Sequence, residues 1–252
     1  MIDLHSHVLP GLDDGARDLE DSIELARTAQ SDGTEILAAT PHLREDYPGV
    51  RVEEIASRCA GLNRDLPDDC AVEIVSGAEV ALTWAREALR EDLALASYGQ
   101  RGTDLLVETP VGPLANDFEE AMLGISGQGF RILLAHPERN PTFQWDRRRL
   151  SALTERGVLV QVTAGSLAAE NTRSRSRRLA RALVEDGLAH VIASDAHSSN
   201  FPRFWLSAGV EAAARIAPLR AEWMVTDAPA AILAGEPLPA APSERTRRRR
   251  FG

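Results

Sequence analysis

The chain has 252 residues, 44% of them apolar, and a formal net charge of −10 at pH 7. A chain of this length buries enough surface to fold without disulfides or a structural metal, and its two cysteines, Cys59 and Cys70, make no framework of spaced thiols. The acidic balance excludes coating nucleic acid, which needs a basic face, and no apolar run is long enough to span a bilayer.

The N-terminus runs straight into MIDLHSH, without the basic and apolar regions of a secretory leader, so the expected location is the cytoplasm. Apolar, β-branched runs then recur, each followed by helical periodicity. They lie at Ile2–Val8, Glu35–Thr40, Val72–Gly77, Asp104–Glu108, Arg131–His136, Val158–Thr163 and His190–Ser194, with a weaker eighth at Trp223–Val225. Helices are expected at Leu19–Asp32, with Ile23, Ala26 and Ala29 on one face, and at Arg177–Asp186. Asp32-Gly33, Gln128-Gly129, Arg156-Gly157 and Asp186-Gly187 close helices just before the next strand, where glycine supplies a left-handed cap. Seven β-then-α units imply parallel strands joined by right-handed crossovers. The expected fold class is therefore α/β, a distorted, TIM-like (β/α)7 barrel. Residues 1–237 read as one domain, and residues 238–252, Pro/Ala-rich and then basic (SERTRRRRFG), as a flexible tail.

Five of the six histidines fall at the C-terminal ends of these strands, the rim where such barrels build active sites. His5 and His7 are two apart, so they share a strand face with Asp3, while Ile2 and Leu4 face the covering helices. The second strand ends in Thr40-Pro41-His42, the third runs out to Glu79, and the fourth reaches Glu108 in LLVETP. The fifth ends in AHPER with His136, and the seventh in SDAH with Asp195 and His197. The sixth, ending in VTAG, lacks an obvious ligand. Any one of these residues alone reads as a solvated loop residue or a cap. Together, imidazoles and carboxylates at one end of successive strands form a mixed N/O donor set that suits Mn, Fe or Zn. One residue of the Asp13-Asp14 turn is a further candidate ligand. His190, at the start of its strand, reads as structural or exposed. Cys59 is followed by Arg64, one residue short of a Cys-x5-Arg phosphate loop, and lies within a helical pattern, so both thiols read as inert.

The segments DLHSHVLPGLDDGARDLEDS, ATPH, GAEV, LVETP, LLAHPERN, VTAGSL and VIASDAH, in that order, resemble the bacterial PHP-type protein-tyrosine phosphatases encoded with capsule and exopolysaccharide genes. The likeness runs from residue 2 to about residue 233, where TDAPAAIL is similar to the family's closing segment. His-x-His and SDAH alone indicate the wider PHP superfamily; HPER and LPGLDDG narrow it to the tyrosine-phosphatase branch. The resemblance implies a three-metal centre, commonly manganese-dependent. It assigns His5 and His7 with Asp195 to one metal, Glu79 as a bridge, Glu108 and His136 to the second metal, and Asp14, His42 and His197 to the third. It makes Arg139 of HPER a holder of the substrate phosphate and Arg203 a second such arginine. It also implies a phosphotyrosine protein as substrate, a tyrosine autokinase of polysaccharide synthesis as partner, and a role in regulating that synthesis. ENTRSRS departs from the family's usual glycine-aromatic-glycine wording, and HPERN lacks the usual aromatic after arginine; both bear on the substrate rim.

Two relatives in chemistry need the same kind of ligands. A PHP phosphatase for a small metabolite such as histidinol phosphate differs only at the pocket rim. An amidohydrolase-type barrel also opens with His-x-His, but most of those bridge their metals through a carboxylated lysine, and this chain has no lysine. A non-catalytic metal-holding module is disfavoured by the completeness of the ligand set, and an exonuclease by the net charge. Neither the oligomeric state, the physiological metal nor the role of the basic tail is set by the sequence.

Overall fold

A computed structural model describes residues 1–199 and 205–243. The first half of the chain forms β1 (Ile2–Ser6), α1 (Leu19–Ser31), β2 (Ile36–Ala39), β3 (His42–Leu43), α2 (Ile55–Asp65), β4 (Glu73–Ser76), β5 (Glu79–Val80), α3 (Leu82–Glu87), α4 (Arg90–Ala96) and β6 (Asp104–Glu108). The second forms α5 (Phe118–Ser126), β7 (Arg131–Ala135), α6 (Pro141–Trp145), α7 (Arg148–Thr154), β8 (Leu159–Thr163), α8 (Ala164–Ala168), α9 (Arg175–Glu185) and β9 (Val191–Ala193). Helices α10 (Leu206–Ala214), α11 (Pro218–Trp223) and α12 (Asp227–Ala234) complete it.

Every strand pairing is parallel, in two sheets ordered β1-β2-β4 and β3-β5-β6-β7-β8-β9. The fold is the expected α/β class with seven strand paths. Two of those paths break: β2 resumes as β3 beyond Thr40-Pro41, and β4 resumes as β5 beyond Gly77-Ala78. Proline has no N–H to donate to a ladder, which suits an interruption at Pro41. The paths stay side by side across the break through Gly77 N to Ala39 O (3.0 Å) and Glu79 N to Pro41 O (3.1 Å). At the other edge, β1 meets the end of β9 through Asp195 N to His5 O and His7 N to Ala196 O, both 2.9 Å, and a bridge between Ser6 and Ala196. Just below, the buried Asp3 carboxylate accepts from the amide of Ser194 at 3.0 Å, and burial pushes its pKa up to about 6.

The apolar runs divide by alternation. Leu105, Val107, Ile132, Leu134, Val160 and Val162 join the large core beneath the helices, where Leu25, Ala26 and Ala29 of α1 and Leu183 and Val184 of α9 also pack. Leu106, Leu133, Leu159 and Val191 form a smaller cluster on the opposite face, plugged by Tyr98, whose hydroxyl donates to Leu4 O at 2.8 Å. Leu4 belongs to this second cluster and Ile2 packs against it, contrary to the expectation that both face the covering helices. Their strand pairs irregularly with β2 between Asp3 and Ser6, so simple alternation does not hold there. The expected eighth strand at Trp223–Val225 is not a strand: Trp223 ends α11 and the next residues turn into α12. Its carbonyls still serve the sheets, since Val225 O accepts from Ile2 N (2.8 Å) and Met224 O from Ile192 N (3.2 Å). The four helix-closing glycines, Gly33, Gly129, Gly157 and Gly187, all have positive φ as expected. Leu238 packs on both clusters, and residues 244–252 lie outside the described residues. No helix among the described residues is long and apolar enough to cross a membrane.

His190 starts the β9 segment on the rim opposite the other histidines. Its Nδ1 accepts from Val160 N at 3.1 Å, and burial with the nearby Arg220 charge pushes its pKa down to about 4. Between about pH 6.5 and 4 the unfolded chain binds a proton here that the folded chain refuses, so stability falls as pH drops through that window. Asparagine can accept the same hydrogen bond without titrating. His190→Asn should therefore lose less stability than the wild type between pH 7 and 4.5, by on the order of 2 kcal/mol, in chemical denaturation at each pH. Parallel pH profiles for the two proteins would contradict this role.

Candidate metal centre

One carboxylate organises the rim. Glu79, 1% exposed at the start of β5, meets four imidazoles from three separate strand ends. Its Oε1 lies 2.8 Å from His136 Nε2; its Oε2 lies 3.0 Å from His42 Nδ1, 3.3 Å from His5 Nε2 and 3.6 Å from His7 Nε2. Asp195 supports the opposite side, with Oδ1 at 3.2 Å from His5 Nε2 and 3.5 Å from His7 Nε2. Asp14 Oδ1 stands 3.4 Å from His197 Nε2 and 3.6 Å from His42 Nε2. Two of these residues sit in the left-handed region that non-glycine residues rarely enter: His136 at φ 37° and Asp195 at φ 57°. Such strain gathers where surrounding structure holds a side chain in place for a purpose.

The imidazoles are oriented from behind. Gln161 of β8, at 3.1 Å, accepts from His5 Nδ1, and Asp13 Oδ2, at 2.7 Å, accepts from His7 Nδ1. His197 Nδ1 donates to its own neighbour's carbonyl, Asp195 O, at 2.9 Å. With the Nδ1 protons so committed, the Nε2 atoms carry the free lone pairs, which is how carboxylates and carbonyls fix metal-ligating histidines. The Nε2 atoms of His5 and His7 face each other at 3.3 Å. Two lone pairs that close repel, so a positive charge, a proton or a cation, must lie between them. Glu79 Oε2 and His42 Nδ1 are also buried without a hydrogen-bond partner, their 3.0 Å approach lacking hydrogen-bond geometry. Both observations fit a site built for cations.

The electrostatics agree. Burial opposes the charge on Glu79, yet His5 and the hydrogen bond from His136 hold its pKa well below the usual carboxylate range. Asp195 is held well below its range in the same way, by His5, His7 and Arg139 against burial. Conversely, burial works against protonating His5 and His7, but the neighbouring carboxylates push both pKa values up, His7 strongly. Four sets of donor atoms lie close enough to share an ion: His7, Asp14, His42 and His197; His5, His136 and Asp195; His5, His7 and Glu79; and His42, Glu79 and Glu108. All nine expected ligands are thus brought together. Glu108 groups with His42 and Glu79, whereas the resemblance placed it with His136.

Arg139, on the turn after His136, is half-exposed, and its Nη1 lies 2.5 Å from Asp195 Oδ2. It lines a cavity of about 440 Å3 together with Asp195, His197, Ser166 and the buried Trp205. Arg203 lies outside the described residues. Three contributors escaped the sequence reading, and a fourth was read there only as one of two candidate ligands. Gln161 comes from the strand that seemed to offer nothing. Arg44 Nη1 donates to Glu108 Oε1 at 2.8 Å, and Tyr47 stacks on His42 at 5.4 Å between ring centroids. Asp13 is the fourth, and Gly15 explains its placement: a Cβ there would lie 2.1 Å from His7 O, so only glycine lets the turn fold back onto β1.

Asp13 has no neutral substitute. Its Oδ2 accepts from His7 Nδ1 and from His42 N at 3.0 Å, and its Oδ1 from Gly15 N at 3.1 Å. His7 and these amides, working against burial, hold its pKa at about 2. In Asp13→Asn one of the two atoms becomes an NH2 facing an N–H whichever way the amide turns. Losing such an orienting carboxylate weakens metal binding roughly 10- to 100-fold. Calorimetric titration of the variant with Mn2+ should show that loss with the circular dichroism spectrum unchanged, and wild-type affinity would refute the assignment.

Residues 1–216 match the family model described as "Capsular polysaccharide synthesis, CpsB/CapC". The tyrosine-protein phosphatase YwqE of Bacillus subtilis (strain 168) is 33% identical over 205 residues, covering 79% of this chain and 78% of its own. The putative tyrosine-protein phosphatase CapC of Staphylococcus aureus is 29% identical over 204 residues, covering 79% and 77%. A solved structure from work on YwqE of B. subtilis and CpsB of Streptococcus pneumoniae, described as unique metal-dependent tyrosine phosphatases, superposes with a TM-score of 0.81 at 29% identity. It covers 97% of this chain and 100% of that one. The chain is a member of the CpsB/CapC family of capsular polysaccharide synthesis.

Proposed function

We propose that the chain is a metal-dependent phosphatase of protein phosphotyrosine that regulates capsular or exopolysaccharide synthesis, with a tyrosine autokinase of that synthesis as its partner. The observation that carries this reading is the Glu79 cluster of imidazoles, joined through Asp195 to Arg139 and to the cavity that Asp195, Arg139 and His197 line. The family membership and the names of YwqE and CapC support the substrate class. Two free, buried cysteines suit a reducing compartment, which supports a cytoplasmic setting.

His5, His7, Asp14, His42, Glu79, Glu108, His136, Asp195 and His197 would hold the metals; their mixed N/O donors suit Mn2+, with Fe or Zn as alternatives. Divalent cations in such a site neutralise phosphate charge and make water acidic enough to attack near neutral pH. Arg139 supplies a planar fork of donors to the phosphate oxygens and binds them harder as their charge grows. Its guanidinium is already held at the site by Asp195, so it is oriented before substrate arrives. No thiol can serve as nucleophile: Cys59 is buried and its pKa is pushed up to about 12 by that burial, while Cys70 is buried as well. Water is then the attacking group, and no phospho-enzyme forms. A phenolate, with a pKa of about 10, departs without a strong general acid, whereas an alkoxide would need one.

Chelation should abolish hydrolysis of phosphotyrosyl peptide, Mn2+ should restore it, and thiol alkylation should leave it intact. Arg139→Ala should reduce kcat/KM by about 10²-fold, the scale of losing one donor to the developing charge, and His136→Ala should remove turnover. Activity that survives EDTA but dies with alkylation would overturn the mechanism. Turnover of histidinol phosphate faster than phosphotyrosyl peptide would overturn the substrate assignment.

A further inference from the structure

Against a net charge of −10, the segment from Arg173 to Arg181 is strongly basic: it holds Arg173, Arg175, Arg177, Arg178 and Arg181. It opens α9, whose apolar face (Leu179, Ala180, Leu183, Val184) is buried, leaving Arg173, Arg175 and Arg178 exposed. Facing them is Trp145 at the end of α6, 89% exposed, an unusual position for so large an apolar surface. Trp145, Arg147, Arg175 and Arg178 line one groove of about 420 Å3. Arg147 is paired with Asp186 at 2.8 Å. Arg175 and Arg178 have no carboxylate partner among the described residues, and Arg178 donates only to the backbone of Arg173 at 2.9 Å.

The groove adjoins the catalytic cavity. Gln144, in its wall, donates from Nε2 to Glu138 O (2.8 Å), next to Arg139, and to Ser176 Oγ (3.2 Å). Ser176 in turn lines the cavity that holds Arg139, Asp195 and His197. One side-chain amide is thus the partition between the two depressions. A peptide with its phosphotyrosine in the cavity would carry its flanking residues across this partition and over the arginines.

We propose that the groove of Trp145, Arg147, Arg175 and Arg178 is a docking site for acidic residues flanking the phosphotyrosine, and so selects acidic segments of protein over neutral ones. The inference rests on the phosphatase reading above. Unpaired guanidiniums on a partly apolar floor attract carboxylates and offer an aromatic face to their neighbours. They also repel a cationic leaving group such as an amine-bearing metabolite, which gives the site a reason to prefer protein.

The test uses the full-length, Mn2+-loaded protein with phosphotyrosyl peptides of one length flanked by Glu, Gln or Arg, and p-nitrophenyl phosphate as a substrate without flanks. At low ionic strength kcat/KM for the Glu-flanked peptide should exceed that for the Gln-flanked one by roughly tenfold, the gap closing as salt rises. Arg175→Gln/Arg178→Gln should bring that ratio close to one. Arg175→Glu/Arg178→Glu should move the preference to the Arg-flanked peptide, a gain that misfolding cannot produce. Equal turnover of all three peptides by the wild type, or a preference that survives both double variants, overturns the docking site. So does a double variant that loses binding to phosphatidylglycerol vesicles while keeping its peptide preference, since the surface would then be a membrane contact. No hydrolysis of p-nitrophenyl phosphate or of any peptide overturns the phosphatase reading itself; hydrolysis without flank discrimination overturns the docking site alone.

Discussion

A single buried carboxylate among four imidazoles is the constraint on which this molecule turns. Glu79 has almost no contact with water, and burying its charge alone would be prohibitive. Positive charge must surround it, and His5, His7, His42 and His136 converge from three strand ends to provide or share that charge. Because His5 and His7 are each steered by a partner on the far side, their rings cannot turn away to relieve their own crowding. The facing nitrogens of His5 and His7 at 3.3 Å are the result. A protein arranged this way holds a deficit of positive charge in a fixed place, and proton and metal ion compete to fill it.

That competition relates the site to the reaction proposed for it. A phosphate monoester arrives as a dianion, so a pocket for it must be positive in sum although its walls are rich in carboxylates. Asp195 sits at the balance point: it approaches His5 and His7 on one side and Arg139 on the other. A cation held by the carboxylates would leave more of the guanidinium's charge for the substrate. The exposed arginines of α9 extend the same polarity beyond the cavity, on a chain that is otherwise acidic.

The strand paths and the convergence of nine side chains at one rim could be read from the chain because parallel strands carry near-continuous apolar runs and a barrel rim gathers whatever follows them. What escaped was set by tertiary contact. Asp13 and Asp14 are chemically identical neighbours, and only the tight turn at Gly15 sends one behind His7 and the other toward His197. Gln161 looks like an ordinary polar residue until β8 is laid beside β1's histidine. Leu4 was misplaced because alternation presumes a regular strand, and β1 shifts register where it feeds the site. Trp223–Val225 has the apolar character of a strand, but a turn between two helices can use its carbonyls just as well.

The interruption at Thr40-Pro41 and Gly77-Ala78 leaves the molecule as two sheets, one carrying β1 and the other carrying Glu79, Glu108 and the strand before His136. His5 and His7 come from the first and their carboxylate from the second. The cluster therefore joins the two sheets at the rim, beside the backbone bonds that run from β1 to the end of β9. Ions held there would add to those bonds, so a chain stripped of them would lose one of its ties between the sheets at the place where its chemistry is performed.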